Sequence, residues 1–267
     1  MISFQLFRKI TDFLYVRIII NFYQNDLKIV SRVIIIFQEV FSFVLTAYAK
    51  KFAYVYFIKA LKSAYDSYHL ISLMQFIKKD DQYPYRVLIG TILSARTKDE
   101  LTAKVCEKLF LIAPNLLKLS QLSEKVIIDL IYPVGFYRRK AKNIKTISSL
   151  LLEKYNGMVP HKLEELLQFP GVGRKTANLV LGTAFKIEAI TVDTHVHRIS
   201  NRLGILKTKT PEETEKDLKC IFPKKYWIIL NPYLVGHGQV ICKPLSPFCS
   251  QCKVKQFCHR IDVNRSR

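Results

Sequence analysis

Leu163-Glu164-Glu165-Leu166-Leu167-Gln168-Phe169-Pro170-Gly171-Val172-Gly173-Arg174-Lys175-Thr176-Ala177 is the stretch from which the architecture can be read. Leu163, Leu166 and Leu167 mark one apolar helical face, and the helix has to stop before Pro170, which pushes Phe169 out of the α region. A tight hairpin follows at residues 169–173. Its two glycines permit positive φ and a close approach of the backbone to something else, while Val172 can tuck between the helices. The next helix starts at Arg174 and turns Ala177, Val180, Leu181 and Ala184 inward. Its first-turn amides, with those of Gly171 and Gly173, form an anion site suited to a nucleic-acid phosphate. The bland alternative is a plain helix-to-helix turn, and the charge of the whole chain weighs against it.

That charge is large. The 267 residues hold 42 Lys and Arg against 21 Asp and Glu, a net charge of +21. The sequence pI is about 9.7. Such an excess points to a polyanionic partner, either nucleic acid or an anionic membrane face. A hydrophobic content of 49% excludes a wholly disordered basic tail. The excess sits late, because residues 1–60 carry 8 basic and 3 acidic side chains while the remainder carries 34 and 18. No Gly or Pro precedes Pro84, so the first part of the chain reads as helical. Residues 33–49 are its most apolar window, but Gln38 and Glu39 at the centre disfavour a membrane span. Asp12 and Arg17 interrupt the apolar run that a secretory signal would need. Beyond Pro84, apolar residues recur at three- and four-residue spacing. Residues 86–110 suit one or two amphipathic helices split near 95–98, and residues 141–155 another that Tyr155-Asn156-Gly157 closes as a C-terminal cap. No strand is needed anywhere.

Several groups of side chains carry candidate chemistry. Lys175 lies in the first turn after the hairpin, where the positive end of the helix dipole and Arg174 both disfavour an ammonium. A neutral amine there is a nucleophile, whereas a charged one is a phosphate contact. Asp193, in Val192-Asp193-Thr194-His195, is placed to cap a new helix, a role compatible with proton transfer, and His195 beside it can orient it. Cys242-x6-Cys249-x2-Cys252-x5-Cys258 gathers four thiols within 17 residues and leaves Cys106 and Cys220 outside. On spacing alone this suits a tetrahedral zinc site or an iron–sulfur cluster equally. Gly135-Phe136-Tyr137-Arg138-Arg139-Lys140 joins a hinge, two aromatics and three cations. That is the chemistry needed to wedge a duplex open and grip its backbone; a buried aromatic before a solvated helix start is the plainer alternative.

The run 167–177, followed by Val192-Asp193-Thr194-His195, resembles the helix-hairpin-helix DNA glycosylases of the endonuclease III type, over roughly residues 84–259 and with Phe169 where leucine is usual. The resemblance implies an all-α, two-lobed fold, a six-helix barrel lobe plus an iron–sulfur cluster lobe, with DNA bound across the cleft. It implies that Lys175 attacks the sugar C1′ and forms a Schiff base that undergoes β-elimination, with Asp193 as its electrostatic and proton-transfer partner. It implies a structural [4Fe-4S] cluster on Cys242, Cys249, Cys252 and Cys258, holding a loop in which Lys243 meets phosphates. Gly171, Val172, Gly173 and Arg174 become DNA contacts, Arg138 and Arg139 phosphate ligands, and Phe136 the side chain that fills the gap left by a flipped nucleotide. The loop from Ser94 to Asp99 becomes the opposing one, with Arg96 where relatives often carry glutamine.

The implied organisation is an apolar helical extension of unknown role at 1–55, dispensable for the chemistry, then an N-terminal helix at 56–80, extending to about Lys79, that joins the cluster lobe. The barrel lobe with its hairpin occupies 81–188 and the cluster lobe 189–267. The implied activity is that of a bifunctional DNA N-glycosylase and abasic-site lyase acting on damaged pyrimidines. Its partner is duplex DNA containing damaged bases or abasic sites, met by a monomer inside the cell, and membrane contact through residues 1–55 is disfavoured. Adenine and mismatch-thymine or uracil glycosylases of the superfamily are one rival, but they usually lack a lysine at the place of Lys175. A non-catalytic DNA-binding module is the other, and the pairing of Lys175 with Asp193 argues against it.

Overall fold

The computed structural model describes residues 54–68, 70, 77 and 79–267. The chain divides into two compact units, 1–56 and 57–267, and only the second is described at length. The apolar extension, including the window at 33–49, lies outside the described residues except for its last two positions. Among the described residues there is no strand, and no helix is long and apolar enough to cross a membrane.

Residues 57–66 are helical (α1). The next helices are α2 (Tyr83–Ser94), α3 (Asp99–Ile112), α4 (Leu116–Gln121), α5 (Glu124–Ile131) and α6 (Tyr137–Tyr155). They are followed by α7 (Leu163–Leu166), α8 (Arg174–Ala184), α9 (Thr194–Leu203), α10 (Pro211–Ile221) and α11 (Trp227–Val240). Local sequence explains most of these boundaries. Pro84 sits in the first turn of α2, where a missing N–H costs nothing. The break between α2 and α3 falls at 95–98, where the spacing places it, and Asp99 and Glu100 then open α3 with favourable charges for a helix N-terminus. Asn115, Ser123 and Thr210 cap α4, α5 and α10 through their side-chain oxygens. The C-terminus of α6 unwinds through Asn156 and Gly157 at φ 51° and 76°, and the Gly157 N–H reaches Leu151 O at 2.8 Å.

Two expectations change. The N-terminal helix does not extend to residue 79: it closes at 66, where both the amide and the hydroxyl of Ser67 take Ala64 O and the Tyr68 amide takes Tyr65 O. A serine that supplies two donors to one carbonyl offers the backbone a turn in place of another helical residue. Leu70, Ile77 and Lys79 lie outside any helix. The helix before the hairpin is a single turn, α7, and Leu167 is exposed rather than part of the apolar face.

One continuous core joins α2 to α8. Leu88, Ile89 and Leu93 of α2, Leu109 of α3, Ile127 and Ile131 of α5, and Ile144, Ile147 and Leu151 of α6 are fully buried in it. Phe169 is buried too, its ring 5.6 Å from that of Tyr155, so the aromatic in place of leucine is absorbed by an edge-to-face contact. A separate set of buried and half-buried side chains comes from both ends of the unit. Phe57 of α1 stacks within 6.3 Å of Phe222 and 5.7 Å of Phe257, and Tyr65 lies 5.1 Å from Tyr233. Ile199, Leu203, Leu218, Leu230 and Leu234 complete that second interior.

In the hairpin, Gly171 has φ 78° and Gly173 has φ −93°. A Cβ at Gly171 would collide with Asn143 Nδ2, whereas a Cβ at Gly173 would have nothing within 4 Å. Gly171 is therefore required by the fold and Gly173 is not. Gly171→Ala should lose about 1–2 kcal/mol for the left-handed backbone, plus the cost of moving Asn143. Gly173→Ala should lose markedly less, and urea denaturation of both variants measures the difference.

Candidate active site

Lys175 and Asp193 meet across the junction between α8 and α9, with Nζ 3.7 Å from Oδ2. The two groups are unequally solvated, the lysine side chain being 55% exposed and the aspartate 10%. Asp193 divides its oxygens: Oδ1 accepts the His195 and Val196 amides, each at 2.9 Å, and so caps α9, while Oδ2 faces the lysine. The extended segment leading to Asp193 is held from both sides. Asn178 of α8 donates its amide to Ile190 O at 2.9 Å, and Asn231 of α11 donates to Thr191 O at 3.0 Å. Both asparagines are buried, and nothing in their sequence context marks them as supports for the aspartate. The ring of His195 does not orient Asp193; its Nδ1 lies 3.2 Å from Arg198 instead.

The hairpin delivers Lys175. Val172 is buried, Gly171 and Gly173 are exposed, and no side chain caps the first-turn amides of α8. Those amides and the open backbone at Gly173 leave room for an anion at the helix N-terminus. Arg174, 45% exposed, is also engaged within the protein. Its Nε lies 2.7 Å from Glu215 Oε2 and its NH2 3.0 Å from Oε1, and Lys219 Nζ binds the same carboxylate at 2.6 Å. Burial works against the Glu215 carboxylate, yet the hydrogen bonds from Arg174 and Lys219 outweigh it and hold its carboxyl below the usual range. The Arg174 fork is thus a clamp from α8 to α10, and of the two cations that open α8 it is Lys175 that faces Asp193. Asp99, the first residue of α3, also senses this site. Burial pushes its carboxyl above the usual range while the Lys175 ammonium pulls it down. As a helix-opening acid it carries no sequence signal of that proximity.

The two loops flanking Asp99 and α6 come together at their tips. Phe136 is 60% exposed, takes a left-handed φ of 59°, and has the Arg96 guanidinium 5.4 Å from its ring centre. Arg138 and Arg139 are exposed on the first turn of α6. Lys140 is buried. It is therefore not available to grip a partner, although the sequence groups it with those arginines.

Cys242, Cys249, Cys252 and Cys258 line one cavity, with Arg202 and His237 among its walls. All four are free thiols, as are buried Cys106 and exposed Cys220. Among the described residues no three metal-ligand side chains close into a coordination group. Nitrogen groups nevertheless stand close to three of the sulfurs. The Arg260 amide points to Cys258 Sγ at 3.4 Å, Arg202 lies 3.6 Å from Cys242 Sγ, and His237 Nε2 is 3.6 Å from Cys252 Sγ. Burial pushes the Cys252 thiol up to about 11 and the Cys258 thiol upward as well. Ionising both therefore needs a compensating cation among them. Lys243, between the first two cysteines, turns its ammonium onto Gln239 O. Arg202 fixes that loop through Lys243 O and Pro244 O, both at 2.6 Å.

Residues 89–224 match the family model described as HhH-GPD superfamily base excision DNA repair protein. Endonuclease III of Thermotoga maritima is 53% identical over 175 residues, which cover 66% of this chain and 82% of that protein. Endonuclease III homolog 2, chloroplastic, of Arabidopsis thaliana is 46% identical over 185 residues, covering 65% of this chain and 47% of that longer protein. Among solved structures, a trapped endonuclease III–DNA covalent intermediate superposes with a TM-score of 0.69 at 34% identity, covering 78% of this chain and 95% of that one.

Glu215 gives a test of the clamp. Its carboxyl is depressed in the folded state, so its contribution to stability is present above the ordinary carboxylate range and lost as pH falls through the folded value. Glu215→Gln should cost about 1–3 kcal/mol at neutral pH, since it removes charged hydrogen bonds to two partly exposed cations. Thermal melts between pH 7 and pH 3 should show the variant losing less stability on acidification than the parent chain.

Proposed function

This chain belongs to the endonuclease III family of HhH-GPD base excision DNA repair enzymes, and from that premise we propose that it removes damaged pyrimidines from duplex DNA with Lys175 as the nucleophile and Asp193 as its partner. The family is one of DNA glycosylases and abasic-site lyases. In the proposed reaction the neutral Lys175 amine forms a bond to C1′ while the C1′–N bond breaks and the base departs with its electron pair. Asp193 Oδ2 takes up the proton that the new ammonium sheds, and its charge stabilises the cationic sugar that develops as the base leaves. The nitrogen lone pair then expels the ring oxygen, which leaves C1′ with its electron pair and takes the proton held on Asp193, and a protonated imine forms. The departed base, which left as an anion, accepts a C2′ proton, the C2′–H pair becomes a C2′–C3′ double bond, and the 3′ phosphate leaves with the C3′–O pair.

The observation that carries this reading is the division of labour at Asp193. Because Oδ1 is already committed to two backbone amides, the carboxylate cannot swing away, and Oδ2 stands 3.7 Å from the one amine placed at the exposed N-terminus of α8. The superposed relative is itself a covalent intermediate with DNA, which an amine nucleophile accounts for.

The remaining assignments follow the same premise. The hairpin of Gly171, Val172 and Gly173 binds a phosphate through the amides of its two glycines, while the Val172 amide stays on Phe169 O, and Arg138, Arg139 and Lys243 add phosphate contacts around it. Phe136 and Arg96 enter the duplex where the nucleotide is extruded. A [4Fe-4S] cluster is held by Cys242, Cys249, Cys252 and Cys258, and when bound it supplies a rigid cross-link between four points of the chain. What supports it is the shared cavity of the four thiols and the N–H groups aimed at Cys242 and Cys258. Residues 81–188 serve as the barrel lobe, and residues 56–80 join 189–267 in the cluster lobe. The same reading has the enzyme act as a monomer on DNA inside the cell.

Borohydride reduction of the imine tests the nucleophile. The parent protein should become covalently joined to a duplex that carries a damaged pyrimidine. Lys175→Gln should abolish both trapping and strand cleavage while keeping duplex affinity within about threefold, because one charge among many changes a salt-dependent footprint little. Asp193→Asn should retain the α9 cap and stability yet slow base removal by about 10²–10⁴-fold. Undiminished trapping by the Lys175 variant assigns the nucleophile elsewhere. For the cluster, anaerobically purified protein should be yellow-brown and release acid-labile sulfide, and Cys242→Ser should lose both signals while Cys106→Ser keeps them. Colourless protein with stoichiometric zinc would be the contrary result.

A further inference from the structure

The Lys140 side chain is only 7% exposed, and its ammonium points back into the protein rather than toward solvent. It donates to Leu93 O at 2.8 Å and to Ala95 O at 2.6 Å, two carbonyls at the C-terminal end of α2, and it lies 3.4 Å from Thr97 Oγ1. A cation at that end of a helix meets the negative end of the dipole and the carbonyls the helix itself leaves free. Thr97 carries the connection onward, because its Oγ1 accepts the Gly135 amide at 3.2 Å. Gly135 packs so tightly there that a Cβ would stand 2.8 Å from Arg96 O. One ammonium, one hydroxyl and one missing side chain therefore lock residues 93–97 against residues 135–140.

The two residues at the tips of the locked segments, Arg96 and Phe136, both hold left-handed backbones, φ 55° and 59°, and their side chains are stacked on one another. A non-glycine residue keeps that conformation only where its surroundings over-determine it. Among the described residues no carboxylate pairs with Lys140, and burial pulls its ammonium down to about 8. A buried cation without a counter-charge is costly, and an apolar side chain of the same length would fill the space. What an apolar side chain lacks is three tetrahedrally disposed donors that can reach carbonyls on one segment and a hydroxyl on the path to the other.

We propose that Lys140 is a positioning residue that fastens the Phe136 loop to the Arg96 loop, so that both side chains meet the duplex as one preformed unit. The inference rests on the reading of Phe136 and Arg96 as the residues that enter the duplex. It locates the role of Lys140 in nucleotide extrusion and leaves the imine chemistry at Lys175 independent of it.

The experiment compares the full chain with Lys140→Met, Phe136→Ala and the double variant on two duplexes, one carrying a damaged pyrimidine and one a preformed abasic site. Stopped-flow fluorescence of 2-aminopurine placed opposite the lesion reports extrusion directly. Lys140→Met should slow extrusion and kcat/KM on the damaged duplex by about 10–100-fold, the loss expected when reacting parts are misplaced by an ångström. Borohydride trapping on the abasic duplex should stay within about threefold, and the double variant should lose no more than about twofold beyond Phe136→Ala. Thr97→Val is the second variant, for use if Lys140→Met does not fold; it cuts the link to Gly135 while leaving the α2 carbonyls held, and it should show the same selectivity in smaller measure. Equal losses on both duplexes, or losses that multiply in the double variant, would overturn the proposal and make Lys140 a general support of the fold. If Phe136→Ala itself has no effect on the damaged duplex, the insertion reading fails; if it is selective and Lys140→Met is not, only the present inference fails.

Discussion

The Asp193 carboxylate is asked to do two things at once, and its geometry permits both because each falls to a different oxygen. Capping fixes the plane of the group and so fixes the direction in which the second oxygen looks. Everything upstream of it serves the same end: two buried asparagines, one from α8 and one from α11, pin the extended backbone that carries the aspartate into place. The hairpin does the corresponding work for Lys175, since Pro170 and Gly171 set where α8 begins and hence where a residue in its first turn must stand. Neither group depends on a long flexible excursion to find the other. Preorganisation of this kind is worth most when the charge to be stabilised exists only briefly, because no rearrangement is needed while it does.

The cations near the site are sorted by what surrounds them. Arg174 and Lys140 each find an acceptor within the protein, a carboxylate in the first case and backbone carbonyls in the second. Arg138, Arg139 and Arg96 stay exposed, and Lys175 is left facing a single carboxylate oxygen. A net charge of +21 therefore overstates the charge free to meet a polyanion. Part of it is structural, spent on helix ends and on Glu215.

What the sequence makes legible is whatever is decided within a few residues. Pro170 and Gly171 announce the hairpin, the spacing of Ile92, Leu93 and Leu101 places the interruption at 95–98, Asn156-Gly157 marks the end of α6, and an aspartate before Thr194 marks the start of α9. The pairing of Arg174 with Glu215 spans 41 residues and that of Lys140 with Leu93 spans 47, and nothing local distinguishes either cation from its exposed neighbours. The same holds for Asn178, Asn231 and Asp99, each of which reads as an ordinary helical or helix-opening residue. The early end of α1 is a different failure: apolar periodicity continues past 66, but the hydroxyl and amide of Ser67 compete for the carbonyl that the next helical bond would need.

The two interiors within residues 57–267 differ in how their sequence is ordered, and that has a consequence for how this part of the chain is made. The core from α2 to α8 is contiguous, so it can close as it leaves the ribosome, whereas Phe57 and Tyr65 must wait for Phe222, Tyr233 and Phe257. At ~5–20 residues per second that wait lasts roughly 10–40 s. During it the aromatic side chains of α1 lack these partners, which are made only after the whole of the first core. Until residues 222–257 emerge, α1 is thus the part of this unit most open to unwanted apolar contacts.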